Sequence, residues 1–65
     1  MEHSNTEIQN VIDEWIHNEL DRQITKRRMI DGITLDELAY EFNFSLAGLK
    51  KRLYPAQRIV NRHLH

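Results

Sequence analysis

The basic side chains that follow Glu41 are the residues best suited to a chemical role. No acid occurs after this position, whereas five cations do: Lys50, Lys51, Arg52, Arg58 and Arg62. Residues 1–21 have the opposite bias, with six acids and no Lys or Arg. The net charge is only −1, yet such asymmetry can turn one end of a molecule toward a polyanion. The alternative is a solvated surface that merely segregates its signs.

Patterns for catalysis or metal binding do not occur in the sequence. Four histidines are present, namely His3, His17, His63 and His65. The last two are two residues apart, which is poor ligand spacing on a helix, and the chain has neither an HExxH pattern nor a cysteine. Ser4 and Ser45 are explained as helix caps, and no glycine-rich phosphate loop exists. We therefore expect no enzyme, no metal site and no cofactor.

The basic residues that begin at Lys50 are predicted to follow a tight corner between two short helices and to lie on the second of them. Thr34 is followed three residues later by a Glu, which is a capping box, so the first of these helices begins there. Ser45 is an N-cap candidate for the next helix, and Asn43 can adopt the left-handed conformation that closes the previous one. Ala39 is small enough for the two helices to cross closely. Residues 34–54 thus predict a helix-turn-helix.

Two further helices precede this unit. Ser4 caps a first helix that runs roughly from Asn5 to His17 and has a stripe at helical spacing: Ile8, Val11, Ile12, Trp15 and Ile16. Asn18 is an N-cap candidate for a second helix, which Gly32 ends. The predicted fold class is all-α, a three-helix helix-turn-helix core with an additional N-terminal helix. Residues 1–65 form a single domain in this prediction.

The helix that follows Ser45 separates apolar and basic faces. One side holds Leu46, Leu49, Leu53, Ala56, Val60 and Leu64, and the other holds Ala47, Lys51, Tyr54, Arg58 and Arg62. Pro55 removes one backbone hydrogen bond, so a kink or a break is expected near Tyr54. Residues 56–65 then form either a separate short helix or a fraying tail. Their apolar stripe requires a partner, which is either the first helix or a second copy in a homodimer.

The stretch DGITLDELAYEFNFSLAGLKKRLYPAQ resembles the fourth region of bacterial sigma factors, which binds the upstream promoter element, and the related LuxR-type regulators. In that family a Gly is followed by a hydroxyl cap, a Glu-aliphatic-Ala core, a tight turn, a Ser cap and a basic recognition helix. The matching residues are Gly32, Thr34, Glu37, Leu38, Ala39, Ser45, Leu49, Lys50, Arg52 and Leu53. The resemblance covers roughly residues 18–61. It implies a bacterial or phage transcription regulator that sets its last helix in the major groove of double-stranded DNA.

The resemblance and the charge pattern together give a candidate DNA-binding set. Its members are Ser45, Ala47, Gly48, Lys50, Lys51, Arg52, Tyr54 and Arg58. Lys51 is the best candidate for a base edge, because it points away from the leucine face, and Arg58 would follow the backbone. Ala47 and Gly48 cannot form the bidentate hydrogen bonds that distinguish bases. Gly48 indicates either that the helix backbone approaches a phosphate closely or that the residue has drifted at a position that tolerates substitution.

A second basic cluster falls on the second helix, at Arg22, Lys26, Arg27 and Arg28. This cluster either flanks the DNA backbone or pairs with acids at helical spacing. Arg28 with Asp31 is one such expected pair.

The first helix supports a different class of function. Its Trp15 and isoleucines could bury against a partner helix instead of the chain's own core. Sigma-like modules also bind RNA polymerase, so the alternative is a module that docks on polymerase or another regulator without binding DNA. No apolar run suits a membrane span or a signal peptide, and the lack of cysteine fits a reducing cytoplasm.

Overall fold

The predicted fold class is confirmed by a computed structural model that describes residues 4–64. This range contains four helices and no strand: α1 (Asn5–Trp15), α2 (Glu19–Met29), α3 (Leu35–Glu41) and α4 (Leu46–His63). The first helix ends two residues before the expected His17. None of these four helices combines the length and the apolar composition that crossing a membrane requires.

Each helix begins at a polar side chain that accepts a hydrogen bond from a backbone amide three residues later. The acceptor-to-nitrogen distances are 3.1 to 3.2 Å. Such bonds satisfy amides that have no carbonyl partner in the first turn of a helix. The four caps are those that the sequence predicts: Ser4, Asn18, Thr34 and Ser45.

The corner between α3 and α4 lies where the sequence places it. Asn43 has a φ of 61°, in the left-handed region that Asn tolerates better than most residues. The amide of Phe44 donates to the carbonyl of Ala39 at 2.9 Å, and the amide of Asn43 donates to that of Tyr40 at 3.2 Å. This pair of bonds is the Schellman arrangement that closes a helix. Ser45 then begins α4 directly, so the corner is short and its direction is fixed.

Helices α2 and α4 form a central pair, and α1 and α3 each pack against both of them. The α3 side of the pair has a core built from Ile24, Leu38, Ala39, Leu49 and Leu53. The α1 side has a second core built from Ile12, Ile16, Ala56 and Val60. Because α4 contributes to both cores, its orientation is set along its whole length.

The expected break near Tyr54 is wrong, because α4 continues through Pro55 to His63. Residues 56–63 are therefore part of α4 and form neither a separate short helix nor a fraying tail. Proline still removes the amide that would bond to the carbonyl of Lys51, at a cost of about 3 kcal/mol. Beyond it, Val60 is fully buried against α1 and Ile59 is half-buried there, which offsets that cost. The apolar stripe that suggested a homodimer contact is thus covered by α1 of the same chain. The final residue of the expected tail, His65, lies outside the described range.

Candidate nucleic-acid interface

The outer face of α4 is a basic surface on the side opposite the two cores. Lys51, Arg58 and Arg62 are exposed there, together with Ala47 and the half-exposed Tyr54. At 1.5 Å of rise per residue, the three cations span about 16 Å along the helix axis. We call Lys51, Arg58 and Arg62 the cationic row. The buried residues on the opposite side of the same helix keep the row exposed to solvent.

The cations of the chain divide into two groups according to their partners. Of the nine Lys and Arg residues, four form ion pairs and a fifth donates to a backbone carbonyl: Arg22, Lys26, Arg27, Arg52 and Arg28. The remaining four all lie on α4: Lys50, Lys51, Arg58 and Arg62. Within residues 4–64 no acidic side chain pairs with any of these four. The uncompensated positive charge of the described chain is therefore concentrated on one helix.

Arg52 belongs to the expected DNA-binding set, but the structure pairs it within the molecule. Its Nη1 donates to Oδ1 of Asp21 at 2.9 Å, which joins α4 to α2. Its guanidinium carbon also lies 5.5 Å from the centre of the Phe44 ring, within range of a cation–π contact. Arg52 thus helps to fix the angle at which α4 leaves the corner.

The basic side chains of α2 also form bonds within the molecule. Nε and Nη2 of Arg27 donate to the two carboxylate oxygens of Glu41 at 2.8 and 2.6 Å, which ties α2 to the end of α3. Its Nη1 donates to Asp31 at 2.9 Å. The expected pair between Arg28 and Asp31 is wrong, because Arg28 instead donates to the carbonyl of Ile33 at 2.8 Å. Of the two interpretations of this cluster, internal pairing is the one that the structure shows.

These pairs change the ionisation of their members. The hydrogen bonds from Arg27 hold the pKa of Glu41 below its usual value, and they raise the pKa of Arg27 itself. The hydrogen bond from Arg22 likewise lowers the pKa of Glu19, with a smaller contribution from Gln23. All of these groups are in contact with solvent, so each pair is expected to contribute little to stability.

Acidification is expected to remove the stabilisation that Glu41 draws from Arg27. Because the folded-state pKa of Glu41 is lowered, this contribution is fully present above the unfolded value of 4.5 and is lost as the pH falls through the folded value. The variant Arg27→Gln lacks the guanidinium group that lowers the pKa of Glu41. The urea midpoint of this variant should therefore fall less between pH 6 and pH 3 than that of the unmodified chain. Parallel falls in the two proteins would contradict this expectation.

The first turn of α4 has little capacity to read bases. The Ser45 hydroxyl is engaged as the N-cap, and Ala47 offers only a methyl group. A Cβ added to Gly48 would lie 3.1 Å from Oγ of Ser45 and 4.0 Å from Cδ1 of Phe44. The cap is therefore tight at this position, which is a reason for glycine that the sequence alone did not supply.

A groove beside Lys51 is the feature that the sequence did not predict. It has a volume of about 320 Å³ and lies between α4 and the connection from α1 to α2. Trp15, Pro55 and Ile59 are among its lining residues. Trp15 is 41% exposed, and its ring stacks on His63 with centroids 3.8 Å apart. Because these residues come from distant parts of the chain, no local spacing signals the groove.

Among residues 4–64, no group of three or more His, Asp or Glu side chains is placed to hold a metal ion. His3 and His65, which entered the metal hypothesis, lie outside that range. No protein-family model matches this chain, and no curated protein and no solved structure is significantly similar to it. The geometry and the charge of α4 are therefore the observations that bear on function.

Proposed function

We propose that this protein is a DNA-binding transcription regulator that sets α4 in the major groove of a duplex. The observation that carries the proposal is that the four Lys and Arg side chains without an acidic or carbonyl partner among residues 4–64 all lie on α4. Three of them form the cationic row, on the face opposite the core. A row of this kind can neutralise several phosphates, which is the largest source of non-specific affinity for DNA.

The corner that precedes α4 supports the same proposal. A helix-turn-helix protein needs a short, fixed turn so that the second helix projects from the domain at a constant angle. Here the Schellman bonds around Asn43, the Ser45 cap and the Arg52–Asp21 bridge fix that angle. Of these residues, Ser45 and Arg52 are also among those on which the resemblance to sigma region four rests.

The mode of contact follows from which side chains are available. Lys51 is the side chain best placed to reach a base edge, while Lys50, Arg58 and Arg62 contact phosphates. The Ala47 methyl can contact a thymine methyl group. Arg52 acts indirectly, by holding α4 against α2. We therefore propose that affinity comes mainly from the DNA backbone and that discrimination between bases is modest.

The alternative function is a protein-interaction module that docks on RNA polymerase or another regulator without binding DNA. One observation favours it specifically, namely the aromatic side chain of Tyr40, which is 89% exposed on α3. Exposed aromatic residues are frequent at the centres of protein interfaces.

A salt series with random duplex DNA separates these functions. If four cations neutralise phosphates, the logarithm of the association constant should fall with the logarithm of salt concentration with a slope of about −3.6. Fluorescence anisotropy of a labelled duplex, titrated at several salt concentrations, measures this slope. A flat response, or no binding at low salt, would reject DNA binding and leave the interaction module as the better hypothesis.

A further inference from the structure

The groove beside Lys51 has an apolar base and a basic edge. Ile16 and Ala56 are buried beneath it, and Trp15, Pro55 and Ile59 remain partly open to solvent along it. An aromatic side chain that enters this space could contact the indole ring of Trp15 and the aliphatic side chain of Ile59 together. The available volume suits one such side chain better than a large ligand.

The charges around the groove favour an acidic occupant. Asp21 lies at the edge, but its carboxylate is balanced by Arg52 at 2.9 Å. Lys51 lies there as well, and no acid within residues 4–64 pairs with it. One uncompensated positive charge thus lies next to an apolar space, which suits an aromatic side chain with carboxylates nearby.

The described chain itself carries a surface with this chemistry. Tyr40 projects from α3, and Asp36 and Glu37 precede it by four and three residues, so they share its face of the helix. Both acids are exposed, and neither forms an ion pair with the described cations. Tyr40, Asp36 and Glu37 thus form a compact surface, which we call the tyrosine face.

We propose that the groove beside Lys51 receives the tyrosine face of a second copy of this chain. The Tyr40 ring lies between Trp15 and Ile59 of the receiving copy, and Lys51 of that copy pairs with Glu37 or Asp36. The two surfaces differ, so the contact is heterologous and can continue to a third copy unless its rotation closes a ring. This contact is separate from the apolar stripe of α4, which α1 covers.

The contact is small and contains charged pairs in water, so the association is weak and salt-sensitive. It also engages Lys51, the first member of the cationic row. If the proposed DNA binding is correct, self-association and DNA binding compete for that side chain. The self-association can be measured without DNA, so its failure is distinguishable from a failure of the proposed function.

A mixing experiment with two variants tests the contact. Tyr40→Ala removes the side chain that enters the groove but leaves the groove intact. Lys51→Glu reverses the charge at the groove but leaves the tyrosine face intact. Analytical ultracentrifugation at low salt should show association of the unmodified chain, while each variant alone associates at least about 10-fold more weakly. An equimolar mixture should recover association and stop at two chains, because only one competent contact remains.

Lys50→Glu is the matched control, since it makes the same charge change on the same helix but at a residue that does not line the groove. This variant should associate like the unmodified chain. The substituted positions 40 and 51 are exposed, and helical circular dichroism verifies that the variants fold. A monomeric unmodified chain, a mixture that stays monomeric, or equal losses in Lys50→Glu and Lys51→Glu would each overturn the proposal.

Discussion

Replacing Leu53 with alanine is expected to leave most of the protein unfolded at room temperature. Leu53 has no solvent-exposed surface and joins α4 to the core on the α3 side. Truncating a buried leucine to alanine costs about 2–5 kcal/mol, because burial is lost and a cavity remains. A domain of this size is rarely more stable than about 3–5 kcal/mol in total. The expected loss is therefore comparable with the whole of the available stability.

Leu46→Ala provides the control for this result. It makes the identical chemical change at the first residue of the same helix, where the leucine is 39% exposed. Solvent and neighbouring side chains can fill the vacated space, so this variant should lose less than about 1 kcal/mol. The helical circular dichroism signal without denaturant measures the folded fraction of Leu53→Ala, and urea denaturation measures the stability of Leu46→Ala and of the unmodified chain. Similar losses in the two would mean that the core on the α3 side is not what stabilises the fold.

The sequence predicted the local structure well because the signals that begin and end helices are themselves local. Ser45, for example, bonds to an amide only three residues away, and Asn43 closes α3 through its own backbone conformation. Both signals depend on residue type and spacing within a single turn. Interactions of this range are visible without knowledge of the tertiary fold.

Predictions that depended on distant residues were less successful. The partner of Arg52 is 31 positions away in the sequence, and nothing in either segment specifies that they meet. The local rule for Pro55 predicts a kink or a break, and the break does not occur because burial of Val60 against α1, which that rule does not include, stabilises the continuous helix. The groove beside Lys51 likewise arises from packing between segments. Within residues 4–64, long-range packing thus leaves the four cations of α4 without acidic partners and forms the groove beside Lys51.

The double substitution Lys51→Ala and Arg58→Ala is expected to weaken binding to duplex DNA by about 100-fold at a moderate salt concentration of about 0.1 M, since each charged contact contributes about 1.5 kcal/mol or more. Both side chains belong to the cationic row and are exposed, so their removal should leave the fold unchanged. The salt slope should also fall by about 1.8, because two fewer phosphates are neutralised. Anisotropy titrations of the same random duplex measure both quantities.

The change in net charge alone must be separated from the loss of these contacts. Gln9→Glu with Asn10→Glu lowers the net charge by the same two units at exposed positions of α1. In this control the salt slope should stay the same and the affinity should fall only slightly, because long-range repulsion is screened beyond about 10 Å at moderate salt. Equal effects of the two double substitutions would mean that the protein responds to DNA through its overall charge. In that case α4 would hold no special position at the duplex, and the proposed docking in the major groove would be wrong.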